Sequence, residues 1–257
     1  MDLGKLVDEI VAARRSKSLL AAPSHQLPGF SIEDGYAVVR RLHQLRLAAG
    51  TRVAGVKLGF TNQAVWEALG LRGPFWSPIY DDTVTTGGDV SLEDFVAPRI
   101  EAEIVLGFSS GLPRNASVEA ICAATGWAAQ GFEIVQCHYP DWVMAPADAI
   151  ADAGLHGVLV VGDRAPGPFD RDALASTTVE LMRGDVAVAR GSGAAALGGP
   201  AEAVGWLLRL PGMEGLPAGS VVTTGTLTGA HPVAAGETWR CDCTGPSVRG
   251  RLEVTFG

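Results

Sequence analysis

The residues of this sequence best suited to chemistry are two glutamates in the stretch 97–106, which reads Ala-Pro-Arg-Ile-Glu-Ala-Glu-Ile-Val-Leu. Apolar Ile100, Ala102 and Ile104 alternate there with Glu101 and Glu103. A period of two is typical of a half-buried strand and places both carboxylates on one face. Carboxylates held this close repel each other, so they either lie in water or share a cation. For the pair alone, a solvated strand face is the simpler interpretation.

A third glutamate and a lysine, both in apolar stretches, favour the cation. Glu133 lies between Phe132 and Ile134 in a predicted strand over residues 127–135, where an unpaired ionised carboxylate is costly. Lys57 interrupts the Gly-rich apolar stretch 53–60. It needs an anionic partner there, unless it reaches water from a strand end. Mg²⁺ and Mn²⁺ prefer hard oxygen ligands, so three glutamates suit such an ion better than zinc.

The first 50 residues are predicted to form a helical arm. Residues 2–15 place apolar side chains on one helical face. A second helix begins with a capping-box-like Ser31 and Asp34 and ends near Gly50. No linker or internal repeat divides the remainder, so residues 51–257 are predicted to be one catalytic unit. The high Gly and Pro counts, 33 and 15, indicate many turns and a strand-rich fold.

Further elements are predicted around the charged strands. Thr61 is predicted to cap a short helix, and the aromatic stretch 73–82 is predicted to be a loop that lines or covers a pocket. Asp81 and Asp82 close that stretch, and surface turn acids are the simpler interpretation of both. A helix over residues 117–124 and a helix, glycine turn and strand over residues 146–161 follow. Residues 217–229 are predicted to form a strand that enters a Gly/Thr-rich loop, which offers N–H and hydroxyl groups to an anionic substrate unless it is a simple tight turn.

Composition limits the possible functions. Hydrophobic residues make up 47% of the chain and charged residues 19%, so a sizeable core is expected. The net charge of -8 argues against a nucleic-acid or anionic-membrane surface. No apolar run reaches membrane-spanning length, and the mixed charges at the N-terminus do not predict a signal peptide. The four cysteines are interpreted as reduced thiols, and a cytoplasmic location is expected.

Taken together, several short motifs resemble the fumarylacetoacetate hydrolase superfamily, in particular its 2-keto-4-pentenoate hydratase and 4-oxalocrotonate decarboxylase branch. Each motif is weak alone, but they occur in the family's order from about residue 35 to the C-terminus. The motifs are Gly55-Val-Lys57-Leu-Gly-Phe-Thr61, Pro98-Arg-Ile-Glu101-Ala-Glu103, Gly131-Phe-Glu133-Ile, Ala151-Asp152 before Gly154, Gly198-Gly-Pro200 and Thr224-Gly-Thr-Leu-Thr228.

The resemblance implies a fold and a ligand set. The implied fold is α+β (mixed β), a rolled β-sheet core with outer helices and the helical N-terminal arm. The implied cofactor is Mg²⁺ or Mn²⁺ held by Glu101, Glu103 and Glu133. Lys57 is an implied catalytic group. Asp81 or Asp82 falls where the family carries an acidic pair, and Asp81 is predicted to be catalytic as well. The family also implies a homo-oligomer, which can pair with a partner decarboxylase or hydratase.

Three residues are predicted to bind substrate: Leu58, His156 and Thr226. Arg72, Arg99 and Arg183 are equal candidates to bind a second carboxylate of the substrate. His156 marks a departure from the family, because relatives often read Ala-Asp-Asn-Ala-Ser where this chain reads Ala-Asp-Ala-Gly-Leu-His over residues 151–156. A satisfied core histidine is the alternative for this residue. The change alters hydrogen bonding at that turn, so it bears on the substrate and the reaction.

The predicted function is a metal-dependent lyase that acts on a small unsaturated 2-oxo acid, or its 2-hydroxydienoate form, through a stabilised enolate. Hydration is the first expectation and decarboxylation the second. The motifs do not separate the two reactions, because both use one enolate-stabilising site. Hydrolysis of acylpyruvate-type substrates is a third alternative. It commonly needs a His–Glu pair, and His43 has no glutamate near it within residues 40–54. A silent partner subunit is the non-enzyme alternative.

Overall fold

The computed structural model describes residues 2–257 as eight α-helices and sixteen β-strands. The helices are α1 (Leu3–Ser16), α2 (Pro23–Gln26), α3 (Ile32–Ala48), α4 (Trp66–Leu69), α5 (Val118–Ala124), α6 (Pro146–Ala151), α7 (Arg171–Ala175) and α8 (Pro200–Leu207). The strands up to the middle of the chain are β1 (Val53–Gly59), β2 (Phe75–Tyr80), β3 (Val84–Thr85), β4 (Gly88–Val90), β5 (Arg99–Phe108), β6 (Leu112–Pro113), β7 (Thr125–Val135) and β8 (His156–Val161). The others are β9 (Ala165–Pro166), β10 (Thr178–Arg183), β11 (Val186–Ser192), β12 (Gly215–Leu216), β13 (Val221–Thr223), β14 (His231–Pro232), β15 (Thr238–Thr244) and β16 (Gly250–Phe256).

A nine-stranded mixed sheet carries the charged strands. Its order is β2-β1-β13-β5-β7-β8-β3, and β14 and β9 pair with β5 and β7. The long antiparallel pair β5–β7 lies at its centre, while β1 and β13 run parallel to each other. A second sheet has the order β11-β10-β15-β16-β4. The main hydrophobic core is formed by side chains from both sheets, such as Ile104, Phe132 and Trp239, together with α5 and α8.

The N-terminal helices α1 and α3 pack against each other and against α6. Ser31 caps α3 through the predicted capping box with Asp34. Leu6, Ile10 and Val38 of α1 and α3 form a small buried cluster with residues of α6, the helix that leads toward β8. Within the described residues, no helix is both long and apolar enough to cross a membrane.

Two local predictions were wrong. The aromatic stretch predicted as a loop contains strand β2, which pairs with β1 along the edge of the large sheet, because Phe75, Ser77, Ile79 and Tyr80 are buried in alternation along most of it. The short helical segment after β1 is capped by Asn62, whose side chain accepts a hydrogen bond from the backbone N–H of Ala64. Thr61 is buried instead. All four cysteines are free, as predicted.

Candidate metal centre and active site

The register of β5 and β7 brings the three glutamates together. Glu101 of β5 lies directly opposite Glu133 of β7, and Glu103 is two residues further along the same face of β5. Directly opposed residues in an antiparallel pair have side chains about 5 Å apart. One carboxylate oxygen from each glutamate lies within 4.8 Å of the others. The alternation seen in the sequence therefore converges on one point from two strands.

Glu103 is held at one oxygen and free at the other. Its Oε2 accepts hydrogen bonds from the backbone N–H of Gly225, at 2.8 Å, and from the hydroxyl of Thr223. Its Oε1 is buried without a hydrogen-bond partner among the described residues. A buried carboxylate oxygen without a partner is costly unless a ligand satisfies it. This arrangement leaves Oε1 available to a cation.

Lys57 is buried and does not reach water. Its side chain is 4% exposed, and Nζ lies 3.0 Å from Glu133 Oε2 as an ion pair without hydrogen-bond geometry. Burial by itself would lower the pKa of Lys57, but the nearby charges of Glu133, Glu101 and Glu103 outweigh it, and the pKa is raised above its ordinary value. The lysine is therefore an ammonium group next to the carboxylates, and the alternative of a strand-end lysine in solvent is excluded.

The pKa values of the three glutamates show that one lysine does not compensate the negative charge of three buried carboxylates. Removal from water, together with Glu133, raises the pKa of Glu101 to about 7 against the opposing effect of Lys57. Burial and repulsion by Glu133 and Glu101 raise the pKa of Glu103 well above its usual range. Burial acts in the same direction on Glu133, but Lys57 and His156 outweigh it and hold its pKa below the ordinary value.

The donor set fits a hard divalent cation. Three carboxylates converge on one point, two of their oxygens are buried without a hydrogen-bond partner among the described residues, and Lys57 neutralises only one of the three charges. Mg²⁺ and Mn²⁺ prefer such oxygen ligands and usually keep waters in the remaining positions. No sulfur or imidazole belongs to the cluster within residues 2–257. The residues present therefore match the predicted ion class.

A cavity of about 220 Å³ opens onto the cluster and is the candidate substrate pocket. Lys57 and Glu101 lie in its wall, with Leu58 and Thr226, two of the predicted substrate-binding residues. The cavity is also lined by Thr61, Phe75, Arg99, Trp142 and Leu155. The hydroxyl oxygen of Thr61 is buried and has no hydrogen-bond partner among the described residues. The pocket thus combines an apolar wall with a few polar groups, as small-molecule sites usually do.

Two other predicted site residues lie elsewhere. Asp81 is in the turn after β2, and its carboxylate pairs with Arg52 at 2.8 Å. It does not line the pocket. His156 begins β8 and bonds Glu133 through Nδ1, at 2.8 Å, while burial lowers its pKa below the ordinary value. His156 faces a different cavity of about 520 Å³, between the N-terminal helices and the sheet. The structure therefore joins His156 to the cluster but joins Asp81 to a surface arginine.

Sequence reasoning did not single out several residues that complete the site. Arg99, Arg72 and Arg183 were equal candidates for a second substrate carboxylate, but only Arg99 lines the pocket. Arg99 stacks on the ring of Trp142 at 4.1 Å. It precedes Glu101 by two positions on the same strand, so the period-two pattern could have identified it. Thr223 and Gly225 lie in the segment predicted to offer hydroxyl and N–H groups to an anion, and in the structure they bond the Glu103 carboxylate. Thr83 left no comparable signal in the sequence.

Comparisons with known proteins show what this chain is similar to. Residues 75–255 match the Fumarylacetoacetate (FAA) hydrolase C-terminal family. A 2-hydroxyhexa-2,4-dienoate hydratase from Comamonas testosteroni is 34% identical over 231 residues, covering 88% of this chain and 87% of the relative. A 2-hydroxypent-2,4-dienoate hydratase from Pseudomonas putida is 31% identical over 217 residues, covering 83% and 97%.

Solved structures match almost the whole chain. One of them is 4-oxalocrotonate decarboxylase from Pseudomonas putida G7, complexed with magnesium and adipate. The TM-score is 0.92 at 25% sequence identity, and the match covers 99% of this chain and 97% of the other. The predicted α+β fold with a rolled mixed sheet and outer helices is confirmed.

Proposed function

The chain belongs to the fumarylacetoacetate (FAA) hydrolase family, and from this premise we propose that it is a divalent-metal-dependent lyase that hydrates a small 2-hydroxydienoate. The observation that carries the proposal is the convergence of three carboxylate oxygens within 4.8 Å, next to a buried ammonium group, at the wall of a small pocket. The hydratases among its relatives, about a third identical over most of the chain, support the same reaction class.

Glu101, Glu103 and Glu133 are the proposed ligands of a Mg²⁺ or Mn²⁺ ion. When bound, such an ion supplies a Lewis acid for the carboxylate and C2 oxygen of a 2-oxo acid and lowers the energy of the enolate. The magnesium in the solved decarboxylase relative supports a divalent ion at this kind of site. The protein's own contribution is the fixed geometry, since Thr223 and Gly225 hold Glu103 and Lys57 pairs with Glu133.

Lys57 is the proposed catalytic group from the protein. Hydration adds one water overall: the C2 hydroxyl loses its proton, C5 and C3 each gain one, and C4 gains the hydroxyl from water. As an ammonium in the pocket wall, Lys57 offsets the negative charge of the substrate and has a proton to donate to carbon. Leu58 and Thr226 line the same pocket and are proposed to contact the substrate.

The deciding experiment is mass-resolved product analysis with 2-hydroxypenta-2,4-dienoate, in the presence of Mg²⁺ or Mn²⁺ and with CO₂ captured. We expect a gain of one water, no CO₂, and loss of activity in a chelator that either metal restores. Full activity after exhaustive chelation would contradict the metal-dependent mechanism. Metal binding without turnover of any 2-oxo acid would favour the silent-subunit alternative.

Decarboxylation of a related diacid is the second candidate, and Arg99 is the observation that favours it. Its guanidinium lies in the pocket wall on the same strand face as Glu101 and is held against Trp142. A guanidinium is well suited to grip a second carboxylate. The solved decarboxylase relative binds adipate, a dicarboxylate. Arg99 would bind the substrate's second carboxylate, the one that leaves as CO₂, at the end away from the C1 carboxylate and C2 oxygen that the metal centre would hold.

Replacing Arg99 separates the two candidates. If the substrate is a diacid such as 2-oxo-3-hexenedioate, Arg99→Ala is expected to reduce kcat/KM by about 10–100-fold, because one charge-assisted contact of about 1.5–3 kcal/mol is lost. For a monoacid substrate the same variant is expected to change kcat/KM little. Arg183→Ala, at an exposed residue paired with Glu237, is the control. A diacid activity insensitive to Arg99→Ala would contradict this role.

Assembly into a homo-oligomer is also proposed, as is association with a paired decarboxylase or hydratase. Leu45 and Leu47 of α3 are about half exposed, at 52% and 45%, and would be covered by another chain. Light scattering is the measurement, and a monomer at micromolar concentration would contradict the proposal.

A further inference from the structure

His156 uses both ring nitrogens in hydrogen bonds inside the protein. Nδ1 lies 2.8 Å from Glu133 Oε1, and Nε2 lies 2.9 Å from Thr83 Oγ1. The residue is only 5% exposed. Two consecutive hydrogen bonds therefore link Thr83, in the turn after β2, through His156 at the start of β8 to Glu133, a carboxylate of the candidate metal centre on β7.

The direction of the bond to Glu133 follows from its chemistry. An ionised carboxylate can only accept hydrogen bonds, so Nδ1 carries the proton and donates it to Glu133 Oε1. Lys57 faces the other oxygen of the same carboxylate, Oε2. Glu133 is thus held at Oε1, as Glu103 is held at Oε2 by Thr223 and Gly225. In both buried glutamates, one oxygen is fixed by the protein and the other faces the cluster.

The backbone before His156 is shaped to deliver this contact. Ala153, Gly154 and Leu155 all have positive φ, at 52°, 67° and 63°, a conformation that two of the three residues adopt at a cost. Ser77 of β2 fixes the turn by donating its hydroxyl to the carbonyl of Ala153 at 3.0 Å. A Cβ at Gly154 would come within 2.6 Å of the Ser77 side chain, so the turn packs directly against β2.

The same geometry argues against a substrate-binding role. His156 does not line the pocket that contains Lys57, Leu58 and Thr226. It lines the separate cavity beneath the N-terminal helices. A histidine with both nitrogens bonded has no free position from which to activate water in the pocket.

We infer that His156 is a positioning residue that, braced by Thr83, fixes the Glu133 carboxylate so that Oε2 is presented to the metal ion and to Lys57. This rests on the proposed metal-dependent function and deepens it. Outer hydrogen bonds of this kind orient metal ligands, and their loss typically weakens metal binding about 10–100-fold. In this chain the role belongs to His156, within the Gly154–His156 departure from the family, for which the sequence had predicted substrate binding.

The test is Mn²⁺ affinity measured by calorimetry on the folded protein without substrate. His156→Ala removes the donor and is expected to raise the Kd for Mn²⁺ about 10–100-fold. His156→Asn places an amide N–H near the Nδ1 position and is expected to restore most of the affinity. His156→Gln reaches toward Thr83 instead, and we expect it to behave like His156→Ala. Thr83→Val is expected to weaken binding less than His156→Ala, and Thr83→Ser to leave it unchanged.

His138→Ala is the matched control. His138 also forms a buried histidine–carboxylate pair, with Asp152 at 2.9 Å, but it contacts no glutamate of the cluster. It is expected to lower the unfolding temperature while leaving the Kd for Mn²⁺ unchanged. If folded His156→Ala bound Mn²⁺ as tightly as the unaltered protein, or if His156→Asn were as weak as His156→Ala, the positioning role would be wrong and the proposed function would stand. If the unaltered protein bound no divalent ion, the proposed function would fail and this role with it.

Discussion

At the scale of single residues, the site holds carboxylates that are destabilised by burial and mutual repulsion when no cation is bound. Glu101 and Glu103 both have a raised pKa, because they lose water and repel one another and Glu133. Lys57 relieves this only in part and mainly for Glu133, whose pKa is lowered. The same repulsion that destabilises the metal-free protein favours a divalent ion, which removes it. The negative charge of Glu103 is therefore expected to favour binding of the ion and to lower the stability of the metal-free protein.

Glu103→Gln tests that opposition. The variant keeps an acceptor for Thr223 and Gly225 but removes the charge. We expect kcat to fall about 10²–10³-fold, in line with the loss of one electrostatic contact in an active site, while the protein in chelator is at least as stable as the original. Thermal unfolding with and without Mn²⁺ and the hydratase assay measure the two effects. Glu253→Gln, at an exposed residue of β16, is the control, and loss of stability in chelator at Glu103→Gln would contradict the argument.

The pH dependence of metal binding is a second prediction at this scale. The pKa of Glu101 is raised to about 7 in the metal-free protein, and a carboxylate ligand must be ionised to bind the ion. Glu101 alone is therefore expected to make the affinity about tenfold weaker at pH 6 than at pH 8, and the raised pKa of Glu103 adds to this dependence, with protons released on binding. Calorimetry at several pH values, in buffers of different ionisation enthalpy, measures both quantities. An affinity independent of pH would show that Glu101 is already ionised.

The raised pKa of Glu101 also makes the stability of the metal-free protein depend on pH. Because the folded pKa of Glu101 lies above the ordinary value of 4.5, the metal-free folded protein binds more protons than the unfolded chain between about pH 4.5 and 7. The contribution of Glu101 to the free energy of unfolding is fully present below this window and is lost as the pH rises through about 7. Saturating Mn²⁺ is expected to remove this loss.

At the scale of elements, close approach of strands sets the position of each ligand. Gly55 of β1 lies beside Val221 of β13, and a Cβ at Gly55 would meet the Val221 carbonyl oxygen at 1.7 Å. Strand β13 also carries Thr223, which bonds Glu103. The glycine therefore allows the parallel pair to close and keeps Lys57 and Thr223 in register.

Gly55→Ala is the prediction that follows for the sheet. The methyl group must push β1 and β13 apart, so we expect a loss of unfolding free energy of about 1–3 kcal/mol or more and weaker metal binding. Gly73→Ala is the control, because a Cβ there meets only Trp206 at 3.7 Å, an ordinary contact. Urea unfolding and Mn²⁺ titration measure the outcome. An unchanged stability for Gly55→Ala would mean that the two strands can separate without cost.

At the scale of the whole molecule, the N-terminal helices are tied to the sheet by a buried charge network. Arg14 of α1 donates to the carboxylate and carbonyl oxygens of Asp152, which is 1% exposed and also accepts from His138. Asp152 belongs to the turn that leads to His156. We propose that residues 1–50 form an arm on a catalytic unit of residues 51–257, and that this network joins the two.

Arg14→Ala is expected to lower the unfolding free energy by about 1–3 kcal/mol, because it removes charge-assisted bonds to a buried carboxylate. Arg15→Ala is the adjacent control, since Arg15 is exposed. Urea unfolding followed by circular dichroism and by tryptophan fluorescence measures the difference. We expect one shared transition for both signals, and a separate early transition for the helices would show that the arm unfolds independently.

The sequence by itself determined the chemistry of the site. The alternation around Glu101 and Glu103 predicted a shared strand face, and the apolar setting of Glu133 and Lys57 favoured charged partners for both. Local pattern is sufficient for such statements because strand periodicity acts over a few residues. The capping box at Ser31 was predictable for the same reason.

Only the tertiary structure decided which distant groups complete that chemistry. The register that sets Glu101 opposite Glu133, the bonds of Thr223 to Glu103, and the link from Thr83 through His156 all join residues far apart in the chain. The choice of Arg99 over Arg72 and Arg183 depended on which side chain reaches the pocket. These contacts depend on the order and register of the strands. The residues next to a given position in the sequence do not specify either one.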